Sequence, residues 1–219
     1  MDRSKIITKV IENMEREYRT LWKDFAKNST TGGKARKGAG DLVESLLQVI
    51  FDTINSQLSA ENKIISRIGS TDNLTKRIEY KGKIHTPRAH VDRHIWQLGK
   101  RIAFIENKTY LDSCYYTRAL ADFRNIAQAL KQSNVDPADV SYIVFAGQKA
   151  ANEDTLLAYE ADFWHITKDL TKNPEGIVPH IFYFLQKTRI SQHPWNENQF
   201  PLNHDDINKF VTHLLDLLS

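Results

Sequence analysis

Apolar side chains recur at Ile6, Ile7, Val10, Ile11, Met14, Tyr18, Leu21, Trp22 and Phe25. This is close to the 3.6-residue period of a helix with one buried face, and it predicts a first helix over 3–27. A second stripe, Leu42, Leu46, Leu47, Ile50, Ile54 and Leu58, predicts another helix with Asp41 as its N-cap. Between them NSTTGGKARKGAG, residues 28–40, has no period and reads as a glycine-rich connector. The pattern then changes to short runs of strand formers at 63–68, 76–80 and 83–85, the last two around a turn at Lys81-Gly82. Alternation over Val91–Trp96 and 101–108, with Gly99 between, predicts a β-hairpin.

Helical spacing returns at Leu111, Tyr115, Leu120, Phe123, Ile126, Ala127 and Leu130, giving a helix over 111–132. Val140–Ala146 is apolar on both faces, as a central strand covered on each side requires. Gly147-Gln148-Lys149 is read as leaving that strand where a ligand crevice lies in an α/β sheet. Residues 151–170 form a helix packed through Leu156, Leu157, Tyr159, Phe163, Trp164 and Ile166, and 181–185 a last buried strand. Ile207, Phe210, Val211, Leu214, Leu215 and Leu218 mark a closing helix over 204–218. The fold class is therefore α/β, a central mixed β-sheet flanked by helices, with the strands at 63–85 in the same sheet as the hairpin. One domain over 1–219 is expected: amino-terminal helices at 3–58, a core at about 63–146, and a helix, strand and polar loop at 147–219.

Composition narrows the classes. Hydrophobic residues are 41% and charged residues 26%, an ordinary globular balance. No apolar run is long enough for a bilayer and no signal peptide pattern opens the chain, so a cytoplasmic protein without membrane association is expected. The single cysteine, Cys114, excludes an internal disulfide and any zinc site of several thiolates. Neither a G-x-x-x-x-G-K-[ST] phosphate loop nor a G-x-S-x-G elbow is present.

Net charge is only +3, but its distribution is uneven. Between 76 and 101, Lys76, Arg77, Lys81, Lys83, Arg88, Arg93, Lys100 and Arg101 face only Glu79 and Asp92, a local net of +6. Acids dominate 150–180 instead. A basic face suits a phosphate backbone. Lys34, Arg36 and Lys37 in the glycine-rich stretch, Gln148 and Lys149 after the central strand, and Lys187 and Arg189 in the unpatterned 186–203 are further candidates for DNA contact.

The hairpin carries the chemistry. On its second strand Glu106 and Lys108 share one face, with Ile105 and Asn107 on the other, and Asp92 lies on the first strand. Charges at the end of an apolar strand are costly unless paired or bound to a metal. Two carboxylates and an ammonium converging on one spot suit a hard divalent cation, which takes oxygen ligands and polarises a phosphoryl oxygen. His90, Asp92 and His94 alternate as strand neighbours; they are read as polar partners of the cleft rather than as a transition-metal set.

Asp92, then Glu106-Asn107-Lys108 fourteen positions on, followed by a helix and an apolar strand, resembles the active site of the PD-(D/E)xK nuclease superfamily. The proline that often precedes the aspartate is absent; Pro87 lies upstream. The resemblance implies a restriction-endonuclease-like core and a metal-dependent, sequence-specific endonuclease of double-stranded DNA like the type II restriction enzymes. It implies Mg2+ held by Asp92, Glu106 and the carbonyl of Asn107, with Lys108 orienting water and Glu44 as an additional acid. It also implies 5′-phosphate ends and a homodimer matched to a symmetric site. Two alternatives stay open: a structure-selective or repair nuclease of the same fold, and a DNA-binding protein in which Glu106 and Lys108 are only an ion pair.

Overall fold

The longest described strand, Lys100–Leu111, sits at the centre of a five-stranded sheet whose two faces are covered by helices. The computed structural model describes residues 2–28, 32–68, 74–186 and 201–218, with the side chains of 24–36 outside that description. In chain order the elements are α1 (Arg3–Asn28), α2 (Gly32–Asn55), β1 (Ile65–Ile68), β2 (Ile78–Tyr80), β3 (Lys83–His85), β4 (Arg93–Gln97), β5 (Lys100–Leu111), α3 (Ser113–Gln132), β6 (Ser141–Lys149), α4 (Glu153–Lys168), β7 (His180–Tyr183) and α5 (His204–Leu217). The main sheet runs β1-β4-β5-β6-β7. Its first two pairings are antiparallel and its last two parallel, a mixed sheet flanked by helices as expected.

Strand alternation divides the core. Ala103 and Ile105 on β5, Ile143 and Phe145 on β6 and Phe182 on β7 turn to the face covered by α1, α2 and α5. Phe104, Tyr142 and Val144 turn to the other, beneath α3 and α4. The β4–β5 hairpin is closed by Leu98 at φ 49° and Gly99 at φ 74°, both positive as a two-residue type I′ turn demands. Asp112 caps α3 by accepting from the Tyr115 amide at 2.8 Å, so Leu111, expected as the first helical residue, is the last of β5.

Four further expectations are corrected. Helix α2 begins at Gly32, so the predicted connector is helical over Gly32–Gly40 and Asp41 is an interior residue, not an N-cap. The reason is visible in Ala39, buried one turn before Leu42 and Val43, which extends the apolar stripe backwards. Strands β2 and β3 pair only with each other and stand apart from the main sheet. Gly147, Gln148 and Lys149 continue β6 instead of leaving it. A Cβ at Gly147 would fall onto the Thr109 carbonyl of β5, so the strand stays paired because this residue has no side chain. On α4, Leu157 and Ile166 are exposed, not packing residues.

Candidate active site

Hydrogen bonding between β4 and β5 ends at Arg93↔Ile105, and the chain just before β4 bends. Asp92 occupies that bend, one residue outside the strand in which it was expected. Its Oδ2 accepts a hydrogen bond of 2.7 Å from the Asn107 backbone amide, so the carboxylate takes the place of the next rung of the ladder. A strand residue directs its N–H and C=O to the same edge, so the Asn107 carbonyl belongs to the edge of β5 beyond the last β4 pair.

Glu106 and Lys108 lie on the α3 side of β5, joined by a Nζ–Oε2 hydrogen bond. The ammonium also stands 3.6 Å from Asp92 Oδ2. Asp92, Glu106 and Lys108 thus converge, and their exposure is graded: side-chain values are 40% for Asp92, 16% for Lys108 and 5% for Glu106. Burial and then the Asp92 charge push the Glu106 carboxyl up to about 8, against the lowering pull of Lys108. Burial works to lower the Lys108 ammonium, but Glu106 and Asp92 outweigh it and hold its pKa above the usual range.

Glu44 is placed differently. It lies mid-helix on α2, on the other face of the sheet, where its Oε1 accepts from Asn107 Nδ2 at 2.6 Å. Its Oε2 accepts from Arg93 Nε at 3.0 Å and Nη2 at 2.6 Å. Both oxygens are therefore engaged, and Glu44 reaches the cluster only through Asn107, whose amide holds Asp92. Arg93, expected at DNA, has a side chain only 11% exposed and is bound to Glu44, with Gln48 and Ser66 oxygens at 3.4 Å.

One acid escaped the sequence reading. Asp122 on α3 is half-buried, and its carboxyl is raised by burial, with Lys108, Asp92, Arg118 and His90 all acting on it. It lies three residues after Ala119 and four before Ile126, both buried, so an acid at the edge of the apolar stripe was the available signal. His94 is buried against Phe104, ring centroids 5.3 Å apart, in the core rather than the cleft. Gln148 is also buried within β6. Lys37 and Arg88 are exposed, and Lys149 pairs with Glu153 at 3.5 Å. The side chains of Lys34 and Arg36, and Lys187 and Arg189 altogether, lie outside the described residues.

Among the described residues, no group of three or more His, Cys, Asp or Glu side chains is placed to hold a metal ion. The donor set at the cluster is two carboxylates and a strand carbonyl, all hard oxygens. That set fits a cation which keeps much of its shell as water and substrate phosphate, as magnesium does, and not one that needs a closed cage of protein ligands. No described helix is long and apolar enough to cross a membrane.

No protein-family model matches the chain, and no curated protein matches it. Among solved structures it is similar to one described as the native BbvCI A2B2 tetramer at low resolution, with a TM-score of 0.35 and 11% identity, over 94% of this chain and 88% of that one.

Proposed function

We propose that this chain is a metal-dependent endonuclease of double-stranded DNA, with a restriction-endonuclease-like core and the sequence-specific action of a type II restriction enzyme. The observation that carries the reading is the convergence of Asp92, Glu106 and Lys108 at the point where β4 and β5 part. An apolar sheet has no packing need for two carboxylates and an ammonium there, and a bound cation would offset the burial and the neighbouring Asp92 charge that together push the Glu106 carboxyl up to about 8.

Asp92, Glu106 and the Asn107 carbonyl would hold Mg2+. When bound, such an ion polarises a phosphoryl oxygen and lowers the pKa of a coordinated water. Lys108 positions the attacking water and offsets charge growing on the phosphate. The Asn107 amide fixes the Asp92 carboxylate, and Glu44 fixes the Asn107 side chain. Lys37, Arg88 and Lys149, with Lys34, Arg36, Lys187 and Arg189, would contact the phosphate backbone, and a homodimer would match a symmetric site.

The test is digestion of plasmid, linear and four-way-junction DNA in magnesium, in EDTA, and in EDTA followed by excess magnesium. Discrete fragments with 5′-phosphate ends, abolished by chelation and restored by magnesium, are expected. Cutting confined to the junction would replace sequence reading by structure selection. Intact DNA of every kind would overturn the nuclease reading.

A further inference from the structure

The β2–β3 ribbon, an arm of the fold with no place in the main sheet, is built to lie against something. Its pairs are Ile78↔His85, Glu79↔Ile84 and Tyr80↔Lys83. Its tip, Lys81 at φ 50° and Gly82 at φ 71°, is a second type I′ turn. Below the strands a bridge between Thr75 and Arg88 continues the pairing, and Leu74 and Ala89, joined by a 2.9 Å backbone bond, sink into the core under α3.

A lone two-stranded ribbon is marginal in water, and this one is braced from the side. The outer edge of β2 would leave the Arg77 amide and carbonyl unpaired. The Gln132 side chain at the end of α3 meets both, accepting from Arg77 N at 2.6 Å and donating to Arg77 O at 2.9 Å. Lys76 Nζ donates to Asn125 Oδ1 at 3.3 Å. The base is therefore tied to α3, and four residues beyond Arg88 the same chain delivers Asp92.

Every residue from Arg77 to Arg88 is exposed. That includes Tyr80 at 60%, Ile84 at 55% and Ile78 at 37%. Cross-strand partners share a face, so Tyr80, Lys83, Ile78 and His85 lie together, and the Lys81 ammonium sits over the Tyr80 ring, 5.3 Å from its centroid. From 76 to 88 five cations, Lys76, Arg77, Lys81, Lys83 and Arg88, face one acid, Glu79. A protein partner of ordinary surface gains little from so one-sided a charge. A polyanion gains much, and the major groove of B-DNA, about 12 Å wide, admits a two-stranded β-ribbon.

We propose that the β2–β3 ribbon enters a groove of duplex DNA, with Lys81 and Lys83 on the phosphates and the Tyr80–His85 face toward the base edges. The proposal rests on the nuclease reading for its substrate, but it concerns binding and can be tested without cleavage. Its consequence is geometric: the ribbon sets where along the duplex the strand meets Asp92, so it governs site choice.

The test is the affinity of the full chain for a short fluorescent DNA duplex in EDTA over a series of salt concentrations. The variants are Lys81→Asn with Lys83→Ala, which removes two charges while keeping a residue that tolerates positive φ at the tip, and Tyr80→Ala alone. A control removes two exposed cations of α1, Lys5→Ala with Lys9→Ala. The ribbon variant is expected to bind on the order of tenfold more weakly and to lower the slope of log K against log salt by about 2, while the control keeps both. Tyr80→Ala is expected to weaken binding with the salt slope unchanged. Ribbon variants that bind like the wild type overturn the proposal. So does loss of self-association in sedimentation with DNA affinity intact, which would make the ribbon a contact between copies. Binding by a wild type that never cuts in magnesium would defeat the nuclease reading and leave the ribbon standing. A wild type with no affinity for duplex DNA would defeat both.

Discussion

At the scale of single residues, one strand separates a charged cluster from the side chains that brace it. Glu106 and Lys108 on one face of β5 form the cluster with Asp92, and Asn107 on the other face ties it to α2 through Glu44. Glu44 thus acts by position, and its removal leaves the Arg93 guanidinium without a counter-charge in a site where only 11% of that side chain is exposed. Glu44→Ala is expected to cost about 1–3 kcal/mol in denaturant unfolding. Arg93→Met should cost less, and a double-mutant cycle should show positive coupling between the two. Equal and additive losses would mean the pair contributes nothing as a pair. That Glu106 and Lys108 share a face was legible because a strand's two-residue period dictates it. Asp92's role as a cap on the broken ladder was not, because a bend that ends a strand leaves no periodic trace. Asp122 leaves no distinctive mark in the sequence, because an acid at the edge of a helical stripe looks like a boundary rather than a member.

At the scale of elements, periodicity located the helices and strands well and their ends poorly. The glycines of 28–40 read as a connector, yet Ala39 and the leucines behind it bury a face large enough to carry the helix back to Gly32. Glycine likewise misled at 147, where close approach to Thr109 keeps it in β6. Gly147→Ala is therefore expected to destabilise the protein by about 1–3 kcal/mol in denaturant unfolding, although alanine is the smaller perturbation by size alone. An unchanged midpoint would show that the strands can part without cost.

The docking of α5 makes a pH-dependent prediction. His213 accepts or donates to Ser141 Oγ at 2.7 Å and lies 4.1 Å from the His180 ring. Burial, and then His180, lower its pKa from 6.5 to about 4. A folded pKa below the unfolded one means the unfolded chain binds the proton more readily. The stability is present above pH 6.5 and is lost as pH falls toward 4. His213→Gln, which keeps a partner for Ser141 without titrating, should flatten the loss of melting temperature between these values. A variant with the same acid limb as the wild type would place the titration elsewhere.

At the scale of the whole molecule, the fold is an α/β sandwich whose sheet changes from antiparallel to parallel pairing at β5, the strand that carries Glu106 and Lys108. Helices α1, α2 and α5 close one face and α3 and α4 the other, so the cluster lies at the parting of β4 and β5 and the basic ribbon leaves from the same segment of chain. The mixed sheet could be read from sequence because strands alternating with helices leave few other arrangements. The detachment of β2–β3 could not, because a hairpin's own pattern does not say which edge it joins. Digestion of plasmid DNA in magnesium by the wild type beside Glu106→Ala and Lys108→Ala, each shown to be folded by circular dichroism and a cooperative melt, bears on the whole. Discrete fragments from the wild type, with rates at least about 100-fold lower in both variants, are predicted. Variants that cut as the wild type does, or a wild type that leaves every substrate intact, would reduce the Asp92, Glu106 and Lys108 cluster to a structural ion pair.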